Sequence, residues 1–75
     1  MELTRHARTR MQQRGINAAA LGALLDYGRV APAGDGCDIV YFDKRTRARY
    51  GNSYAIVASD GTVITVGHRT RRIAR

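Results

Sequence analysis

One cysteine, Cys37, stands in this 75-residue chain, so no internal disulfide can brace the fold. A chain this short buries only ~60–65% of its unfolded surface, which leaves a thin core and little room for a deep pocket. A reducing compartment or a stabilising partner is therefore implied. Long apolar runs are missing too: the longest, residues 18–25, is interrupted by Gly22 and is far short of a membrane span. The opening residues 1–6 contain no apolar stretch of the kind a secretory leader uses, so the expectation is one cytoplasmic domain over residues 1–75, with no membrane as partner. Clustered metal ligands are absent: Cys37, His6 and His68 are far apart, and Asp35 and Asp38 fall in a glycine-rich turn. Neither a metal nor a cofactor is expected. Cys37 opens an apolar segment, where packing is its commoner role than nucleophilic attack.

Lysine is nearly missing as well, because Lys44 is the only one among 13 basic residues, which face 6 acidic ones for a net charge of +7. That charge steers the chain toward polyanions. Arginine offers a planar fork that grips phosphate bidentately and stacks on bases, although codon usage in a GC-rich genome gives the same excess. The net charge holds under either reading.

The spacing predicts a first helix over residues 3–14, with Thr4 as its cap and Gly15 as its end. A second follows, with Asn17 as N-cap, Ile16 and Leu21 as a hydrophobic staple, Leu21, Leu24 and Leu25 on its apolar face, and Gly28 as a left-handed stop. The pair forms an αα-hairpin. Past Gly28, a turn cluster of Pro32, Gly34, Asp35 and Gly36 precedes a β-favouring run, residues 37–42. Arg45, Arg47 and Arg49, alternating with Thr46, Ala48 and Tyr50, read as a solvent-facing edge strand. Residues 54–59 and 62–66 flank Asp60-Gly61 as a two-residue hairpin, pairing Ser59 with Thr62, Val57 with Ile64, Ile56 with Thr65, and Ala55 with Val66. Parity then puts Ala55, Val57, Ile64 and Val66 on the core face, leaving Tyr54, Ile56, Val63 and Thr65 on the open one. The fold class is thus α+β, two N-terminal helices on one face of a three- or four-stranded antiparallel sheet.

His6 and Arg10 are one helical turn apart on a stripe bordering the buried side, and His68 with Arg69 follows the last strand where a basic tail begins. Histidine is the side chain that exchanges protons near neutrality. Two histidines among arginines fit metal-independent RNA cleavage, in which a base takes the 2′-hydroxyl proton, an acid protonates the leaving 5′-oxygen and cations hold the phosphorane. Each histidine also has a plain reading, His6 as a partly buried hydrogen-bonding residue and His68 as a solvated tail residue. Lys44, Arg45, Arg47, Arg49, Arg71 and Arg72 are candidates for phosphate contacts, with Tyr50 as a base-stacking ring. The second helix has no basic or amide side chain after its cap, which counts against a groove-reading helix-turn-helix.

The opening His6-Ala7-Arg8-Thr9-Arg10-Met11-Gln12-Gln13-Arg14-Gly15-Ile16 resembles the HA-x2-R-x3-R-G-I start of a family of small, uncharacterised bacterial domains. Residues 54–57 and 63–73 look like that family's terminal hairpin. Such domains resemble RelE/ParE-like toxins and the wider barnase, EndoU and colicin nuclease fold. The resemblance implies a RelE-like architecture whose open sheet face cuts RNA, with His6, Arg10, Thr65, His68 and Arg69 as site residues. The expected function is a small RNA-cleaving domain, the toxin of a toxin-antitoxin pair. Its expected partners are RNA (ribosome-associated mRNA or tRNA), an acidic antitoxin protein and a second copy of the chain as a homodimer. A non-catalytic nucleic-acid-binding module and a protein-interaction or regulatory domain are the alternatives.

Overall fold

A computed structural model describes residues 2–69. Helix α1, Arg5–Arg14, begins where the Thr4 hydroxyl oxygen accepts from the Ala7 N–H at 3.0 Å. The same hydroxyl donates to the Ile64 carbonyl at 2.7 Å, so one side chain caps the helix and ties it to the sheet. Leu3, expected in the helix, instead forms a parallel bridge with Val63, and the Val63 N–H donates to the Glu2 carbonyl. Residues 2–4 thereby cover the start of an otherwise open strand edge.

Helix α2, Ala18–Tyr27, is capped by the Asn17 carboxamide and buries Leu21 and Leu24 completely. Its stop differs from expectation. Gly28 is extended, φ −73° and ψ 159°, not left-handed. Glycine is needed there for proximity, because a Cβ would lie 2.4 Å from the Leu24 carbonyl oxygen and 2.7 Å from Val40 Cγ1.

Four antiparallel strands follow in spatial order β1-β2-β3-β4: β1, Arg29–Gly34; β2, Cys37–Tyr41; β3, Ser53–Val57; β4, Val63–His68. The two-residue Asp-Gly turn occurs at Asp35-Gly36, both at positive φ, between the paired Gly34 and Cys37. At Asp60-Gly61 the loop is one residue longer. Gly61 N–H donates to the Ala58 carbonyl and Ala58 N–H to the Thr62 carbonyl, leaving Ser59, Asp60 and Gly61 as the loop. A bulge on β4 then restores the expected pairing of Ile56 with Thr65 and Ala55 with Val66, while Val57 meets Val63 instead of Ile64. Parity at the tip is corrected accordingly: Val63 is wholly buried in the core, and Ile64 is half-buried.

Residues 44–50 are not an edge strand but helix α3, Lys44–Tyr50. Asp43 caps it, accepting from the Thr46 N–H and hydroxyl, and Gly51 ends it. Alternation of Arg with Thr and Ala carries no apolar stripe, and Arg, Ala and Lys are better helix than strand formers, so the cap and stop decide.

The core lies between the helices and one sheet face. Ala7, Ile16, Leu21 and Leu24 meet Val40, Phe42, Ala55, Val63 and Val66. Each fully buried large apolar side chain contributes ~1.5–3 kcal/mol before the entropy of ordering the chain is counted. No helix among the described residues is long and apolar enough to cross a membrane.

Candidate nucleic-acid interface

The hairpin tips, residues 34–37 and 58–62, share one end of the sheet. Asp35, Asp38 and Asp60 sit there, joined by Glu2 through its backbone bond to Val63. The opposite end holds the beginnings of β1 and β3, the ends of β2 and β4, and all of α3. Arg14, Arg29, Lys44, Arg45, Arg47, Arg49 and Arg69 gather at that end, with Asp26 and Asp43 as the only described acids among them. Arg5 and Arg8, on the first turns of α1 near Val63, stand closer to the tips, so among the described residues the tip end is mixed in charge and the opposite end is the basic one.

Asp43 does not neutralise that end freely, since its carboxylate is committed. It accepts from Thr46 and pairs with Arg29 Nε at 2.7 Å. The Thr46 hydroxyl first, then the Thr46 backbone N–H and Arg29, hold its pKa far below the usual carboxylate range, and Asp43 in turn raises that of Arg29. Lys44, Arg45, Arg47 and Arg49 remain exposed on α3. Arg45 and Arg49 are four residues apart on this helix, a like-charged spacing that costs ~0.2–0.5 kcal/mol until an anion arrives.

Tyr50, at the end of α3, packs on Phe42 with ring centroids 5.3 Å apart and on Tyr27 at 5.7 Å. The Arg49 guanidinium lies 5.5 Å from the Tyr50 ring centre. These ring contacts anchor α3, which is too short to persist alone.

Arg69 is only partly exposed. Its guanidinium donates to the Phe42 carbonyl and lies 5.1 Å from the Tyr41 ring centre. Burial first, then the charge of Arg47, lowers its pKa from the ordinary arginine value. Arg69 is thus built into the sheet end beneath the basic helix.

A shallow cleft of ≈ 170 Å³ opens where α1 meets β4, lined by Arg10, Arg14, Tyr54, Val66, Gly67 and His68. Drug-sized ligands need ~300–1,000 Å³, so this cleft suits a group nearer the size of a phosphate. His68 is held on both sides: Nδ1 is 3.1 Å from the Asn52 carboxamide oxygen, and Nε2 is 3.0 Å from the Arg14 carbonyl. Asn52 also donates to the Arg69 carbonyl, and the Arg69 N–H donates to that of Asn52. A neutral imidazole can donate to only one of its two oxygen partners; the cation donates to both.

The structure brings Arg10 and His68 to one cleft, directs the guanidinium of neighbouring Arg69 to the Phe42 carbonyl and the Tyr41 ring, and separates His6 and Thr65 from them. His6 is exposed on α1, and eight residues of helix put it roughly 12 Å along the axis from Arg14, where His68 is fastened. Thr65 pairs with Ile56 on the sheet face away from the helices, next to buried Val66. Lys44, Arg45, Arg47, Arg49 and Tyr50 share α3, while Arg71 and Arg72 lie outside the described residues. Tyr27, Arg14 and Asn52 were missing from the expected set. Arg14 had a readable signal, one helical turn beyond Arg10, whereas nothing local ties Asn52 to His68 or Tyr27 to Tyr50. Among the described residues, no three His, Cys, Asp or Glu side chains converge as a metal site would require. Comparison with protein-family models, curated proteins and solved structures finds no match for this chain.

Proposed function

We propose that this domain is a nucleic-acid-binding module that grips the phosphate backbone with its basic end. The observation that supports it is the separation of charge: exposed Lys44, Arg45, Arg47 and Arg49 on one short helix, with Asp35, Asp38 and Asp60 at the far end of the sheet. Cations concentrated in this way release counterions from several phosphates together, and the contact carries little sequence information. Fluorescence anisotropy with labelled oligonucleotides tests it. Replacing Arg45, Arg47 and Arg49 by Glu should weaken binding to every sequence alike. Glu2→Lys with Asp38→Lys, at the tip end, should change it little. A gain in affinity from the tip-end pair comparable, charge for charge, to the loss from α3 would mean that net charge acts without a site.

RNA cleavage is the second reading, favoured by the convergence of Arg10, Arg14, Tyr54 and His68 on one cleft. There His68 would carry the proton and Arg10 the scissile phosphate, and an acidic antitoxin would cover the basic end. The assay is incubation with RNA in EDTA beside a substrate with one 2′-deoxy position at the cut site. Cleavage that requires the 2′-hydroxyl and falls ~10²–10⁴-fold in His68→Ala supports it. Intact RNA removes it.

A further inference from the structure

Tyr27 ends α2 and is 61% exposed, a large aromatic residue for a protein to leave in water. It is not a loose surface side chain. Its ring is nearly parallel to that of Tyr50, at 10°, and Tyr50, 39% exposed, stacks at 21° on Phe42, which is 1% exposed. Three rings therefore climb from the core to solvent, Tyr50 touching both of the others. The stack on Tyr50 favours one orientation of the outermost ring before anything binds, so a flat partner meeting it loses less further side-chain freedom. The surroundings narrow the choice of partner. Tyr50 belongs to the helix that exposes Arg45, Arg47 and Arg49, and the Arg49 guanidinium is 5.5 Å from the Tyr50 ring centre. The matching ligand has a flat aromatic group and negative charge on the same chain within a few ångströms. An unpaired nucleotide has both. A paired base does not offer its face, because neighbouring base pairs already cover it.

We propose that Tyr27 is a stacking platform for an unpaired nucleobase, extending the Phe42-Tyr50-Tyr27 stack by one ring while α3 arginines hold the adjoining phosphates. This rests on the nucleic-acid-binding reading and adds to it a preference for single strands. Every base has a stacking face, so the platform selects for the absence of pairing and not for sequence.

The experiment titrates the full chain with fluorescein-labelled single-stranded RNA, the same sequence as DNA, and the corresponding duplexes, all at low salt. Tyr27→Ala should weaken single-strand binding ~5–150-fold, the range for losing one base stack, with duplex affinity and the salt slope unchanged. Tyr27→Phe should retain the affinity, since the phenyl ring still stacks. A strand made abasic at one scanned position should lose affinity to the natural chain and lose no more to Tyr27→Ala. A loss on both RNA and DNA supports the platform, and a loss on one alone supports it and names the strand it serves. Circular dichroism of Tyr27→Ala matching the natural chain keeps a folding defect from imitating the effect. If Tyr27→Ala binds single strands as the natural chain does, or loses duplex affinity equally, the platform is overturned. The basic-end reading then still stands on the charge-reversed α3. If no strand binds at all, that reading has failed and the platform with it.

Discussion

Replacing Gly28 by alanine should destabilise the domain through collision, not through backbone strain. At φ −73° and ψ 159° any residue is comfortable, so the conformation costs alanine nothing. The added Cβ would lie 2.4 Å from the Leu24 carbonyl oxygen and 2.7 Å from Val40 Cγ1. Neither neighbour can withdraw easily. The carbonyl is held by the Gly28 N–H at 2.8 Å, and Val40 is a buried, β-branched residue in an inner strand. Carbon contacts are optimal at about 3.5–4.0 Å, so α2 must move off the sheet by close to an ångström, at ~1–3 kcal/mol or more. In a domain of this size each kcal/mol lowers Tm by ~4–8 °C, which puts the loss at about 5–25 °C. Thermal unfolding followed by circular dichroism measures it. Gly15 serves as the control, because it has φ +66° and open space around a would-be Cβ. Asparagine should be better than alanine at Gly15, where handedness matters, and no better at Gly28. A Gly28→Ala chain that melts within 2 °C of the natural one would refute the packing of α2 on β2 described above.

Asp43→Ala should unravel α3 while leaving the sheet folded, seen as faster hydrogen exchange at the Arg47 and Gly51 amides, both of which bond within that helix. Because the folded-state pKa of Asp43 is depressed, its contribution is full above the unfolded carboxylate value of ~3.9 and disappears as pH falls through the lower folded one; α3 should therefore survive at pH 4 and open under stronger acid. Thr4→Val removes both the α1 cap and the bond to the Ile64 carbonyl with little change in volume, and should cost ~1–3 kcal/mol by urea unfolding. Tyr50→Ala should separate Tyr27 from Phe42 and lower single-strand affinity as Tyr27→Ala does, with an added loss of helicity over residues 44–50.

Local chemistry made the helical half of the fold readable. Thr4, Gly15 and Asn17 occupy the cap positions their side chains suggest, and the spacing of Leu21 and Leu24 identified the buried face of α2. The strand pairing of Ala55 with Val66 followed from counting back from a glycine turn, even though the loop is longer, because the β4 bulge offsets the extra residue. What failed was decided by contacts distant in sequence. The β4 bulge turns Val63 into the core, where residues 2–4 bridge to it, and Gly28 is required by Val40. For α3 the signal is local, since Asp43 and Gly51 bracket the arginine run as cap and stop, but the alternation of Arg with Thr and Ala imitates a strand. At the site, the sequence showed the basic residues but not their collection at one end. That depends on which strand ends the two hairpins bring together, and no local pattern encodes it.

The salt dependence of single-strand binding tests the central claim most directly. Affinity measured by anisotropy from low to physiological salt should fall with a slope of about −0.7 in log K against log salt for each phosphate neutralised. Replacing Arg45, Arg47 and Arg49 by glutamine should flatten that slope by about 2, because three contacts are removed. An affinity independent of salt, or a slope that the triple substitution leaves unchanged, would contradict a basic end built to hold a phosphate backbone.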